Sequence, residues 1–125
     1  MSIEDPHVEH CTVLVVDDEA AMRYLLAVVL ERAGYEVIEA AHGEAALEQV
    51  RSSQPRLVIT DLMMPRMGGA ELIERLRADK DTAGIPIVML TATLVGEPNA
   101  DAVLMKPFDH DEMIEVANML TGSRS

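Results

Sequence analysis

The chain has 125 residues, 49% apolar and 26% charged, which is the size and composition of one ordinary globular domain and argues against disorder or a disulfide scaffold. Ten Lys and Arg against 22 Asp and Glu give a formal net charge of −12, which opposes contact with phosphate backbones and anionic lipid. Two Tyr, one Phe and no Trp leave no stacking platform for single strands, so no direct nucleic-acid partner is expected.

Residues 1–10 read as a flexible acidic tail ahead of a domain over 11–121, with a short second tail at 122–125. Cys11, the one cysteine, opens an apolar run and is expected to be a buried, inert thiol. Thr12 to Val16 is the first β-branched run. A helix follows, with Met22, Leu25, Leu26, Val29, Leu30 and Ala33 spaced to form one stripe and Gly34 placed to end it. Its stretch Tyr24 to Leu30 is the longest uncharged apolar run, far short of the about 20 residues of a membrane span. No basic-then-apolar leader opens the sequence, and a cytoplasmic protein without membrane insertion is expected.

Glu36 to Ala40 is the second strand, Leu47 and Val50 mark a weaker helix that stops before Pro55, and Leu57 to Thr60 is the third strand. Gly68 and Gly69 precede a helix marked by Leu72, Ile73 and Leu76, and Ile87 to Leu90 is the fourth strand. Only Ala92 to Asp101, with Gly96, Pro98 and Asn99 among them, separate Thr91 from a fifth strand at Ala102 to Met105. A βαβ crossover with its helix needs at least about 10–12 residues, so the fourth helix is expected to be shortened or absent. The last helix has the strongest start signal. Asp109 can accept from the backbone N–H three residues on, Glu112 can reach back, and Phe108 can pack on Met113. Met113, Val116, Ala117 and Leu120 then form its buried face. Continuous apolar strands joined by helices predict a doubly wound α/β fold, a parallel sheet covered on both sides.

In an open parallel sheet, functional groups collect outside the carboxyl ends of the strands. Asp17 and Asp18 follow the first strand, Asp61 ends the third, Thr91 follows the fourth and Lys106 the fifth. The second strand ends in Ala40 and Ala41 and offers nothing, as suits an edge strand. Three carboxylates against one ammonium leave the pocket negative, which calls for a cation. An all-oxygen ligand set points to Mg²⁺, with Mn²⁺ able to substitute. Beside such an ion and a Lys, Asp61 is the candidate nucleophile for a phosphorus atom, with Lys106 and the Thr91 hydroxyl to hold phosphoryl oxygens.

The runs Val13 to Asp18, Asp61 to Gly69 (DLMMPRMGG), Pro86 to Ala92 and Lys106-Pro107-Phe108 together resemble the receiver domain of bacterial two-component response regulators, over roughly residues 10 to 121. The resemblance implies a five-stranded parallel sheet in the order 2-1-3-4-5. It implies that Asp17 and Asp18 bind Mg²⁺ with help from the Met63 backbone carbonyl, that Asp61 is the phosphoacceptor, Thr91 the switch hydroxyl and Lys106 the phosphate-contacting lysine. A histidine kinase or histidine phosphotransfer protein is the implied donor, and the receiver, which is not a metabolic enzyme, speeds its own phosphorylation. The downstream protein target is unknown.

Two departures bear on output. The family's usual aromatic residue three positions before the Lys is Val103 here, and the segment between Thr91 and Lys106 is shorter than the family's. Signalling is therefore expected through another surface, such as the first and last helices or an ordering of Leu94 to Ala100. Met63 and Thr93 flank the expected approach of an attacking water, and because Met63 cannot orient water, slow self-dephosphorylation is expected. Blander readings exist: Asp17-Asp18-Glu19 as first-turn helix acids, the nine Met as mostly gap-filling core, and His7, His10, His42 and His110 as surface or tail residues without ligand spacing. A pseudo-receiver acting as an unphosphorylated docking module is the alternative function. A phosphatase of the haloacid-dehalogenase type would want Asp-x-Asp after the first strand, which Asp17-Asp18-Glu19 does not supply, and an FMN carrier would want a Ser/Thr-rich loop there.

Overall fold

Strands that are apolar on both faces require a sheet covered twice, and the chain builds one. The computed structural model describes residues 11–93 and 99–122. Five strands, β1 (Thr12–Val16), β2 (Glu36–Ala40), β3 (Leu57–Asp61), β4 (Ile87–Thr91) and β5 (Ala102–Met105), form one sheet in the order β2-β1-β3-β4-β5, with every pairing parallel. The helices are α1 (Ala20–Arg32), α2 (Gly43–Ser53), α3 (Gly69–Ala78) and α4 (His110–Thr121). The doubly wound fold and the strand order are as expected. β3 and β4 each run one residue further than the apolar pattern suggests, so that Asp61 and Thr91 are the last residues of their strands.

Alternate side chains of the strands feed two cores. Val13, Val15, Ile59 and Leu104 pack with Leu26 and Leu30 of α1 and with Met113 and Ala117 of α4. Leu14, Val16, Val58 and Met89 pack with Ala46 and Val50 of α2 and with Leu72, Ile73 and Leu76 of α3. β3 and β4 are buried at every residue, as central strands of a doubly covered sheet must be. Among the described residues no helix lies between β4 and β5; residues 94–98, on which part of the expected signalling loop falls, lie outside the described residues, as do 1–10 and 123–125.

Several local expectations are corrected. Leu25 is 43% exposed and Ala33 is exposed, because the buried stripe of α1 is Leu26, Ala27 and Leu30. Gly34 does take the left-handed conformation, at φ 101°, and lets the chain turn into β2. Cys11 is half-buried rather than buried, since it precedes β1 at the sheet's end. Asp109 caps α4 by accepting from Asp111 N–H at 3.2 Å, one residue earlier than the expected position, while Phe108 does join the core that contains Met113. His42, read as a surface residue, caps α2: its Nδ1 accepts from Ala45 N–H at 3.2 Å.

Arg77 ties the end of α3 to the segments that lead into β4 and β5. From the end of α3 its guanidinium donates to the carbonyls of Ala83 and Ile85, each at 2.7 Å, and of Asn99 at 3.1 Å. It also pairs with Asp101 Oδ2 at 2.8 Å, and the same oxygen accepts from Ile87 N–H at 2.8 Å. One Arg–Asp pair thus ties α3 to the starts of β4 and β5.

Candidate functional site

The carboxyl ends of β1, β3, β4 and β5 bring Asp17, Asp18, Asp61, Thr91 and Lys106 to one edge of the sheet. Carboxylate oxygens of Asp17, Asp18 and Asp61 lie within 4.8 Å of one another. Asp17 is 2% exposed and Asp61 8%, while Asp18 is open to solvent. Lys106 Nζ meets Asp61 Oδ1 at 2.7 Å.

The loop after Asp61 is shaped by a glycine. Gly69 N–H donates to the Leu62 carbonyl at 2.8 Å, and a Cβ at Gly69 would collide with the Asp61 carbonyl oxygen. The start of α3 can therefore lie against the end of β3 only without a side chain there. Met63, two residues after Asp61, is 73% exposed.

Asp17 is held on several sides. Its N–H donates to the Ala40 carbonyl at 3.1 Å, its carbonyl accepts from Arg23 Nη1 at 2.7 Å, and its Oδ1 accepts from Glu19 N–H at 2.9 Å. Its Oδ2 is buried with no partner. Buried polar oxygens are ordinarily satisfied, so an orphaned carboxylate oxygen beside two other carboxylates fits a hard cation, and an all-oxygen donor set suits Mg²⁺ or Mn²⁺. Arg23 Nε in turn donates to Glu39 Oε1 at 3.1 Å. The second strand, expected to contribute nothing, thus reaches the site through the Ala40 carbonyl and Glu39. Arg23, Ala27 and Leu30 share one face of α1, so a charged residue at buried-stripe spacing was the available signal.

Thr91 is 1% exposed, and its hydroxyl is engaged by the next turn of chain. It donates to the Thr93 carbonyl at 3.0 Å and accepts from Thr93 N–H at 3.1 Å. The structure therefore brings Thr91 to the right strand end but commits its hydroxyl to Thr93.

Burial raises the Asp17 pKa above its ordinary 3.8, with Asp61 and Asp18 adding to the rise while the Glu19 N–H and Lys106 oppose it. A folded-state pKa above the unfolded one means that the folded protein binds more protons between the two values, so stability falls as pH rises through that window. Asp17→Asn is accordingly expected to raise the thermal midpoint in EDTA at neutral pH. Its Nδ2 would also donate toward the neighbouring carboxylates. The gain should shrink as the pH is lowered toward 3.8; midpoints measured across that range check this, and a gain independent of pH would rule out the electrostatic cause.

The response regulator receiver domain family matches residues 13–118. The phosphate regulon transcriptional regulatory protein PhoB of Pseudomonas aeruginosa is 42% identical over 110 residues, covering 82% of this chain and 48% of that protein. The DNA-binding response regulator MtrA of Mycolicibacterium paratuberculosis is 41% identical over 109 residues, covering 82% and 47%. Among solved structures, the chemotaxis protein CheY4 of Vibrio cholerae superposes with a TM-score of 0.84 at 30% identity, covering 90% of this chain and 99% of that one. The chain spans about half the length of the two regulators. These relatives overturn the expectation of no nucleic-acid partner, because proteins this similar are named as transcriptional and DNA-binding regulators. The charge of −12 belongs to a chain that spans about half the length of those regulators, so it does not bear on what the regulators contact. No helix among the described residues is long and apolar enough to cross a membrane. Matched span, sheet order and a strand-end acid cluster agree, and the chain belongs to the response regulator receiver domains.

Proposed function

We propose that residues 11–121 form a phosphorylated signalling switch, acting in the cytoplasm, in which Asp61 accepts a phosphoryl group from a histidine kinase or histidine phosphotransfer protein. An Asp61 carboxylate oxygen forms the new O–P bond as the donor's N–P bond breaks, and the imidazole nitrogen leaves with the electron pair. Asp17, Asp18, Asp61 and the Met63 carbonyl would hold Mg²⁺, with Mn²⁺ as a substitute. When bound, the ion supplies positive charge that offsets the acids and the incoming phosphoryl. Lys106, already on Asp61, would follow the transferred group onto a phosphoryl oxygen. Thr91 reaches that group only after leaving Thr93, which couples phosphorylation to the chain after β4. By likeness to PhoB and MtrA, transcription is the class of output we extend to this domain.

The observation that carries the reading is the Lys106–Asp61 contact beside the orphaned Asp17 oxygen. The occupied Thr91 hydroxyl favours the second reading, an unphosphorylated docking module. Incubation with Mg²⁺ and either phosphoramidate or acetyl phosphate, followed by intact mass, separates the two. A phosphoryl adduct that disappears in Asp61→Asn and in chelator supports the switch. No adduct from either donor, together with no Mg²⁺ binding, supports the docking module.

A further inference from the structure

Three of the four hydrogen-bonding positions on Asp17 are tied down, and the ties are not equivalent. The Ala40 and Glu19 bonds are backbone contacts that the β1–β2 register and the start of α1 supply. The third comes from a side chain one turn into α1, the Arg23 guanidinium on the Asp17 carbonyl at 2.7 Å. A hydrogen bond from a charged donor is shorter and stronger than one between neutral groups, so this contact bears on how the Asp17–Glu19 turn sits. Arg23 is itself fixed, since its Nε is held by Glu39 of β2 at 3.1 Å and its side chain is only 19% exposed. A planar guanidinium can make both contacts at once, whereas a Lys ammonium lacks that fork.

We infer that Arg23, braced by Glu39, is a positioning residue for the cation site: by holding the Asp17 carbonyl it keeps the turn that presents Asp17 and Asp18 beside Asp61. The inference rests on the reading of this pocket as a cation site. A lone guanidinium near three carboxylates would weaken cation binding by charge; Glu39 cancels that charge, so the pair supplies geometry at no net electrostatic cost. Removing both members leaves the net charge unchanged and isolates the geometric contribution.

The test is Mn²⁺ binding, read from the electron spin resonance of the free ion, and Mg²⁺ binding by calorimetry. Wild type, Arg23→Lys and the double variant Arg23→Met with Glu39→Gln are compared, with thermal unfolding in EDTA to show that each is folded. The double variant is expected to bind both ions about tenfold more weakly, equivalent to about 1.4 kcal/mol, while unfolding cooperatively. Arg23→Lys, which keeps the charge and loses one of two donated bonds, is expected to fall between, and it carries the test if the double variant does not fold. Binding by the double variant, or by Arg23→Lys in its stead, that equals or exceeds wild type overturns the inference. No saturable binding by wild type overturns the cation-site reading itself, and the inference with it.

Discussion

Lys106→Met is expected to tighten Mg²⁺ binding about tenfold while slowing phosphoryl acceptance about a hundredfold. The two effects have opposite signs because Lys106 does two things from one place. Its ammonium sits 2.7 Å from Asp61 Oδ1, where it competes with any cation for the same carboxylates. Like charges a few ångströms apart repel by roughly 1–2 kcal/mol even at the dielectric of bulk water when one is divalent, and Met would remove that repulsion while keeping the side chain's apolar bulk. On the proposed function the same ammonium would stabilise charge on the moving phosphoryl, and loss of one such donor ordinarily costs about 10² to 10³ in rate. Calorimetry with Mg²⁺ and the time course of the intact-mass adduct from acetyl phosphate measure the two arms. A variant that loses both affinity and rate would show that Lys106 holds the acidic site together rather than serving the transferred group.

Arg77→Met is expected to lower the thermal midpoint by roughly 8–15 °C, the equivalent of about 2–3 kcal/mol in a domain of this size. The guanidinium is 17% exposed and Asp101 42%, so the pair itself, half in solvent, contributes modestly. The larger loss is at the carbonyls of Ala83 and Ile85, each bonded at 2.7 Å, whose donor would vanish while the segment stays folded around them. Because Arg77 also holds Asn99 and Asp101, the variant should loosen the chain where β5 begins. Thermal unfolding and amide exchange at Asp101 and Ala102 check the prediction. A midpoint within 2 °C of wild type would mean that backbone pairing of β5 with β4 suffices without the clasp.

The fold could be read from the chain because its determinants are local. Runs such as Leu57–Asp61 and Ile87–Thr91 are apolar at every position but the last two or the last, and burial on both faces is the only environment that tolerates them. The placement of Asp17, Asp61 and Lys106 at the strand ends was equally readable, since each follows within a residue or two of an apolar run. Boundaries failed where a polar residue continues the strand, as Asp61 and Thr91 do, because pairing with a neighbour and not hydrophobicity decides the last residue. Leu25 failed because a stripe read by spacing alone is wider than the sheet can cover.

By itself, then, the sequence determined the order and type of the elements, the parallel sheet, the short crossover and the place where acids and lysine gather. Tertiary structure alone decided how those groups are held. Arg23 finds Glu39 16 residues away, and Arg77 finds Asp101 24 residues away; Thr91 spends its hydroxyl on Thr93, and Gly69 lets a helix start against Asp61. Hydrophobic spacing reports whether a side chain is buried, which one segment can encode. The partner of a polar group is set by which elements the fold brings within about 3 Å; spacing can mark a charged residue such as Arg23 as clasped, but it does not name Glu39 as the clasp.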